Sequence, residues 1–250
     1  KKSLQKFLDD IHEAFFLAKN NGVVIKTLST YLDWETRAFR DYANKPILAN
    51  HVYERIKDDM SNFYSSYNSY KTKGILYKRG YLFYGIPGTG KTTAIVSLAH
   101  ELKKDIYMMY LQSGMSNAGF ISAISMIPEN GILVIEDADC FQETHKRKDG
   151  DKNKETISLS TILNTLDGVC TPHGLVFIIT TNKKETLDPA LIRPGRIDVD
   201  IEFKKPEKEQ IYELYTRIIG NDNHFEEFFN HYPDIGMAEA QTLLLERVGN

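Results

Sequence analysis

One eight-residue segment constrains the fold of this chain more than any other feature. Residues 85–92 read Gly-Ile-Pro-Gly-Thr-Gly-Lys-Thr and directly follow the apolar run Tyr-Leu-Phe-Tyr at 81–84. This is the G-x-x-x-x-G-K-[ST] pattern, and it lies where phosphate binding needs it, between a strand and a helix. The glycines let consecutive backbone N–H groups turn inward around an anion, which the positive end of the helix dipole also faces. The segment therefore predicts a strand, a loop and a helix that bind a nucleoside triphosphate.

The chemistry of the loop side chains agrees with that prediction. Lys91 is expected to reach the β- and γ-phosphates, and the Thr92 hydroxyl is expected to ligate Mg²⁺. The alternative is a glycine-rich turn that precedes a helix by chance, and the strand, the spacing and the Lys-Thr pair argue against it. The predicted phosphate-binding residues are Gly85, Ile86, Pro87, Gly88, Thr89, Gly90, Lys91, Thr92 and Thr93.

Strand-like and helix-like segments alternate along the middle of the chain, which is typical of an α/β fold with a parallel sheet covered on both faces. Five parallel strands are predicted, over 81–84, 106–111, 132–135, 176–180 and 199–203. After Pro206 the pattern is helical and predicts a small helical lid. We expect an α/β ATPase subdomain over 46–205 and the lid over 206–250. Residues 1–45, which include a β-rich run at 23–28, are interpreted as the C-terminal edge of an upstream domain.

Polar residues at strand ends suit hydrolysis of a phosphoanhydride. The third predicted strand is followed by Glu136 and Asp137, of which one can hold hydrated Mg²⁺ while the next polarises the attacking water. Such acids are commonly only solvated, but the four apolar residues before them favour catalysis. Asn182 follows the fourth strand and could orient the water, although an Asn there is more often a turn residue. Arg193 and Arg196, separated by Pro-Gly, are predicted to be held rigidly at the surface, where most arginines only aid solubility.

Composition excludes several classes of protein. The 250 residues are 42% apolar and 26% charged, as in ordinary soluble domains, and the net charge of −3 argues against a nucleic-acid-binding surface. No apolar stretch approaches the roughly 18 residues of a membrane span. Cys140 and Cys170 lack metal-ligand spacing and are expected to be small buried hydrophobes. The charged stretch 142–156 is interpreted as a solvated loop, with a loop facing a pore or a partner as the alternative.

Four segments share the order and spacing of the ATPase module of the AAA family, including its second region of homology. They are 85–92, 132–139, 180–182 and 187–198. This resemblance implies a P-loop ATPase that uses ATP and Mg²⁺ and forms a homo-oligomeric ring, typically of six or seven subunits. It also implies that Arg193 and Arg196 are arginine fingers acting in trans on the neighbouring subunit, and that Asn182 is the first sensor. Together with Lys91, Glu136 and Asp137, these are the predicted catalytic residues, and Thr92 and Glu136 are the predicted metal ligands.

A departure from the common pattern points to one branch of that family. Most AAA proteins have Asp then Glu after the third strand, whereas this chain has Glu136 then Asp137. The reversed order resembles the branch that contains the mitochondrial Rieske-protein translocase, a chaperone of respiratory complex III assembly. Segments 74–81, 159–169 and 237–241 resemble the same branch. By this resemblance alone, residues 1–45 end a middle domain, a membrane anchor would lie upstream of residue 1, and the location is the mitochondrial inner membrane. Without the resemblance, the cytoplasm is the expected location.

Two local differences affect what the resemblance implies. Residue 86 is Ile where the family usually has Pro, a change at a variable position that should preserve phosphate binding. If Glu136 takes the magnesium role, Asp137 is a catalytic base with one methylene less of reach. The sequence leaves open whether this slows the ATPase, and hydrolysis is still expected. For adenine recognition the candidates are Ile47 and Leu48. Phe120 is expected to pack in the core rather than to thread substrate, which favours the movement of folded cargo or a ring switch.

The sequence features suggest three candidate functions for this chain. The first is a ring ATPase that couples hydrolysis to the remodelling or translocation of a protein substrate. The second is an ATP-gated oligomeric scaffold or switch with little hydrolysis, which the Glu136–Asp137 order keeps open. The third is a DNA-directed loader, against which the balanced charge and the absence of a basic stripe argue.

Overall fold

The computed structural model describes residues 22–29, 32–40, 45–48, 51–111, 115–139, 157–167 and 171–248. The strands are β1 Val23–Leu28, β2 Trp34–Arg40, β3 Lys78–Tyr84, β4 Ile106–Tyr110, β5 Ile132–Glu136, β6 Leu175–Thr181 and β7 Val199–Glu202. The helices are α1 Val52–Ser65, α2 Tyr67–Lys73, α3 Lys91–Leu102, α4 Asn117–Ser125, α5 Leu159–Asp167, α6 Lys208–Ile219, α7 Phe225–His231 and α8 Met237–Val248, with a 3-10 turn at Lys184–Thr186. The predictions for Cys140, Cys170 and the stretch 142–156 fall outside the described residues.

The strands form one sheet in the order β2-β1-β4-β5-β6-β3-β7. All neighbours in this sheet are parallel except β1 and β2, which are antiparallel. The α/β class with a predominantly parallel sheet is therefore confirmed, but the prediction of five strands, all parallel, is wrong, because the described residues form a sheet of seven strands. The β-rich run at 23–28 pairs with β4 in this same sheet. The sequence of β2, WETRAFR, lacks an apolar run because it is a charged edge strand, which escapes a search for buried strands.

The sheet separates two apolar layers, as the side-chain alternation of a pleated strand requires. In β3, Tyr81 and Phe83 join the layer under α1 and α3, and Leu82 joins the layer under α4 and α5. Phe120 of α4 is fully buried in the second layer, which confirms the prediction that it packs in the core. Covering the sheet on both faces leaves its strand ends as the place where polar side chains can meet.

The three C-terminal helices build a separate apolar cluster around Ile211, Phe228 and Leu244. Helix α6 begins with a capping box between Glu207 and Gln210. The segment that leads into the sheet, residues 45–48, lies against this cluster, and its Ile47 is buried in it. The predicted lid is therefore present as helices α6–α8. Among the described residues, no helix is both long enough and apolar enough to cross a membrane.

Candidate nucleotide-binding site

The loop between β3 and α3 has the backbone of a phosphate cradle. Gly85, Gly88 and Gly90 have φ values of 135°, 74° and 94°, in the region that favours glycine. A Cβ atom at Gly85 would lie 2.2 Å from the carbonyl oxygen of Phe203, so no larger residue fits there. The loop ends where α3 begins, at Lys91, and this places free N–H groups and the positive helix end on one side of the loop.

The Lys91 ammonium lies at the centre of the site and is bonded to neutral oxygens. Its Nζ donates to the backbone oxygens of Gly85 at 2.7 Å and Ile86 at 3.1 Å, and to Oδ1 of Asn182 at 2.9 Å. Burial lowers the pKa of Lys91, while the nearby charge of Asp137 acts in the opposite direction. A buried cation whose direct partners are all uncharged is a suitable receptor for an anion.

A second group of oxygens surrounds the carboxylate at the end of β5. The Thr92 hydroxyl donates to Oε1 of Glu136 at 2.7 Å, and the Tyr110 hydroxyl donates to Oε2 at 3.2 Å. Tyr110 and Glu136 are direct register partners at the last position of the β4–β5 ladder. Burial, together with the Glu136 charge, raises the pKa of Tyr110, so that its hydroxyl keeps its proton at neutral pH. Tyr110 could not be predicted from the sequence, because its relevance arises from pairing across strands.

Asp137 and Asn182 are brought together by hydrogen bonds between the ends of β5 and β6. Asp137 has a φ of 51°, in the left-handed region, and its N–H donates to Oγ1 of Thr180 at 3.1 Å. The Asn182 side-chain N–H₂ lies 3.4 Å from Oδ1 of Asp137. A non-glycine residue in the left-handed region is uncommon and concentrates at functional sites.

The buried carboxylate of Asp139 fixes the segment that carries Asn182. Its Oδ1 accepts from the Thr181 hydroxyl at 2.9 Å and from the Asn182 backbone N–H at 3.2 Å. The role of Asp139 could not be predicted from the sequence, since its partners lie more than forty residues further along the chain. It acts on the site through the position of Asn182.

The two predicted arginine fingers lie apart from Lys91 and differ from each other. Arg193 is exposed, and its side chain makes no hydrogen bond or ion pair with any described residue. Arg196 is bound within its own chain, because its Nε donates to Oδ2 of Asp167 at 2.6 Å and its Nη1 donates to the Ala190 backbone oxygen. Lys78 contacts the other oxygen of Asp167 at 3.2 Å. Neither arginine lines the cleft beside Lys91.

A cleft of about 690 Å³ lies between the phosphate loop and the lid, a volume within the usual range of ligand pockets. Its walls include the loop from Pro87 to Thr93, Ile47 of the lead-in segment, and Met237 and Ala238 of α8. Leu48, the other adenine candidate, packs instead against the sheet core. The loop and the lid approach closely, since a Cβ atom at Gly88 would lie 3.1 Å from the Cβ atom of Ala238.

The oxygen atoms of Thr92 and Glu136 suit a Mg²⁺ ion that has further, non-protein ligands better than a metal ion bound by protein side chains alone. Thr92 and Glu136 place a hydroxyl and a carboxylate oxygen side by side at the mouth of the loop. Within the described segments, no group of three or more His, Cys, Asp or Glu residues could hold a metal ion. Mg²⁺ is usually bound through one or two carboxylates together with waters and substrate phosphates. These donors therefore suit a magnesium ion that arrives with a phosphate ligand.

Comparison with known proteins agrees with this geometry. The profile described as "ATPase family associated with various cellular activities (AAA)" matches residues 81–205. The probable mitochondrial chaperone bcs1 of Schizosaccharomyces pombe is 36% identical over 176 residues, which cover 70% of this chain and 39% of that protein. The mitochondrial chaperone BCS1 of Danio rerio is 30% identical over 254 residues, which cover 95% of this chain and 60% of that protein. An AAA-ATPase of Arabidopsis thaliana is 41% identical over 154 residues, which cover 59% of this chain and 31% of that protein.

The profile covers the phosphate loop, both strand-end acids, Asn182 and the two arginines, while the similarity to the BCS1 chaperones extends beyond it. The chain spans less than two thirds of the length of each of these curated relatives. The chain belongs to the AAA family of ATPases, in the branch that contains the BCS1 chaperones.

Proposed function

We propose that this chain binds ATP with Mg²⁺ in the cleft beside Lys91 and hydrolyses the β–γ phosphoanhydride. The observation that carries the proposal is the meeting of three strand ends at one lysine. The residues after β3, β5 and β6 contact each other through Asn182. Its Oδ1 lies 2.9 Å from Nζ of Lys91, and its Nδ2 lies 3.4 Å from Oδ1 of Asp137. This places a cation, an acid and an amide around one point, as hydrolysis of a phosphoanhydride requires.

Residues of the phosphate loop and of the walls of the cleft would bind different parts of the nucleotide. Lys91 gives up its backbone carbonyl partners and donates to phosphate oxygens, which gain more from its charge than neutral carbonyls do. Residues from Gly88 to Thr93 line the cleft, and their backbone N–H groups would complete the cradle. Thr92 and Glu136 would hold Mg²⁺, which, when bound, offsets the negative charge that develops on the phosphates. Ile47 and Met237 give the cleft apolar walls on which a base can pack.

Asp137 is proposed as the base that takes a proton from the attacking water. Its backbone is held by Thr180, and its carboxylate shares an amide hydrogen of Asn182, so both groups can contact the same water molecule. The Asp carboxylate is shorter than Glu by one methylene. The left-handed backbone at Asp137 and its bond to Thr180 define where that carboxylate points.

We further propose that the active form is a homo-oligomeric ring of six or seven subunits. Arg193 supports this proposal, since it is exposed and makes no hydrogen bond or ion pair with the described part of its own chain. An arginine supplied in trans stabilises the negative charge of the transition state of phosphoryl transfer and can raise the rate by about 10³–10⁵-fold. Arg196 is bonded to its own chain through Asp167, and in this role it would support the loop that carries Arg193.

By similarity to the chaperones named above, we propose that hydrolysis drives the remodelling or translocation of a protein substrate, in association with mitochondria. The proposal includes the division of the chain at residues 45 and 205. An ATP-gated scaffold with little hydrolysis is the second outcome that the following experiment distinguishes.

The experiment compares wild type with Lys91→Ala and Asp137→Asn. Nucleotide binding is followed with a fluorescent ATP analogue, and turnover is followed by phosphate release. We expect Lys91→Ala to lose binding, and Asp137→Asn to bind like wild type while losing turnover by about 10²-fold or more, as expected for removal of a general base. If wild type fails to bind the analogue, the nucleotide site is refuted. If wild type binds but turnover equals that of Asp137→Asn, the scaffold replaces the motor.

A further inference from the structure

The carboxylate of Glu136 is held on both of its oxygens. Oε1 accepts from Thr92 at 2.7 Å and Oε2 accepts from Tyr110 at 3.2 Å. These partners come from different elements, since Thr92 lies in the first turn of α3 and Tyr110 is the last residue of β4. A carboxylate bonded on both sides has a fixed plane, whereas a carboxylate bonded on one side can rotate about its last bond.

The need for such a constraint follows from the side chain at position 136. Glu has one more rotatable bond than Asp, and immobilising it costs more conformational entropy. The β4–β5 register places Tyr110 directly beside Glu136, so the phenol reaches the carboxylate without any change in the backbone. Tyr is stiffer than the long polar side chains and brings its hydroxyl to the site with only two rotatable bonds.

The surroundings of Tyr110 argue against a role limited to packing. Its side chain is 44% exposed, so it is not needed to fill the core. Its hydroxyl also lies 3.6 Å from the sulfur of Met108, a weak acceptor compared with a carboxylate. The hydroxyl is therefore committed to Glu136, and its removal would leave no cavity behind.

We propose that Tyr110 is a positioning residue for the magnesium site, whose hydroxyl orients Glu136 so that the carboxylate oxygen beside Thr92 stays available to the metal ion. The inference rests on the proposed function, because it takes Glu136 as the magnesium ligand. Partners that orient metal ligands commonly contribute to metal affinity without touching the metal.

The test measures how binding of a fluorescent ATP analogue depends on Mg²⁺ in wild type, Tyr110→Phe and the control Tyr212→Phe. Tyr212 is an equally exposed tyrosine on α6, at 41%. For Tyr110→Phe we expect the Mg²⁺ concentration at half-saturation to rise about 10-fold, the lower end of what such partners contribute. Binding in the presence of EDTA and the melting temperature should match wild type, and Tyr212→Phe should be unchanged throughout.

A second pair of variants separates orientation of Glu136 from a general effect of the mutation. In the Glu136→Asp background the shorter carboxylate no longer reaches the phenol, so adding Tyr110→Phe should have no further effect on the Mg²⁺ dependence. An unchanged Mg²⁺ dependence in Tyr110→Phe would overturn the inference. So would an equal loss of binding with Mg²⁺ and with EDTA, or an undiminished effect in the Glu136→Asp background. If wild-type binding itself ignores Mg²⁺, the proposed magnesium site fails, and the inference fails with it.

Discussion

Replacing Asp139 by alanine should destabilise the fold at the point that holds Asn182. The side chain is 8% exposed and accepts hydrogen bonds from Thr181, whose side chain is fully buried, and from the Asn182 backbone. A hydrogen bond to a charged acceptor contributes about 1.5–3 kcal/mol, and a donor left without a partner in the interior costs about 1–3 kcal/mol. We assign the full contribution to the hydrogen bond from Thr181 and a smaller one to the longer bond from Asn182. Removing a buried charge offsets part of the lost free energy of unfolding.

We therefore expect the free energy of unfolding to fall by about 3 kcal/mol for Asp139→Ala. For a chain of this length that corresponds to a melting temperature lower by about 6–12 °C. Asp139→Asn is the matched control, because its amide oxygen can still accept both bonds, and its loss should be only about 1 kcal/mol. ATP turnover should fall in Asp139→Ala along with the stability, since Asn182 loses its backbone anchor.

The assay is urea denaturation of wild type, Asp139→Ala and Asp139→Asn under identical conditions, with slopes checked for two-state behaviour. An Asp139→Ala variant within about 0.5 kcal/mol of wild type, the usual range of neutral surface changes, would refute the reasoning. Equal destabilisation of both variants would also refute it, because the effect would then come from the charge and not from the acceptor oxygen.

Three further predictions concern the scaffold of the site. Gly80→Ala should lower the free energy of unfolding by at least about 3 kcal/mol, because its Cβ atom would lie 1.8 Å from the Arg196 backbone oxygen. In the control Gly236→Ala the new Cβ atom meets open space, so its stability should not change, and equal losses in both variants would contradict the clash. Arg196→Ala should cost about 1 kcal/mol, because its ion pair is partly exposed, and an unchanged midpoint would show that this pair does not stabilise the loop. Burial acts to raise the pKa of Glu101, but the hydrogen bonds from Lys57 and Tyr53 hold that pKa below its ordinary value. Stability should therefore fall as the pH drops through the acid range, less steeply for Glu101→Gln, and parallel pH profiles would contradict this.

The sequence predicted those parts of the fold in which local pattern and burial agree. The strands β3, β5 and β6 each contain an apolar run because both faces of the sheet are covered. The loop at 85–92 was predicted because its residue types and their spacing match a phosphate-binding loop. Strand β2 was not predicted, because an edge strand with charged residues has no such pattern. Whether the chain divides at residue 45 stays a prediction, since residues 1–21 lie outside the described part of the structure.

Parts of the site depend on contacts between strands and could not be read from local pattern. Tyr110 matters because the β4–β5 register places it beside Glu136, and Asp139 matters because the chain returns to it at Thr181. The sequence did not distinguish Arg193 from Arg196, whereas in the described part of the chain only Arg196 of the two has its side chain bonded to another residue. A motif gives the spacing of residues along the chain, but lateral pairing and side-chain partners are decided by the assembled sheet.

The measurement that tests the central claim most directly is ATP turnover per subunit as a function of protein concentration, for wild type and Arg193→Ala. If the catalytic site is completed between subunits, wild-type turnover should rise steeply with concentration as rings assemble. Arg193→Ala should then bind ATP like wild type but lose about 10³-fold or more in rate. Turnover that is independent of concentration and unaffected by Arg193→Ala would contradict a shared site.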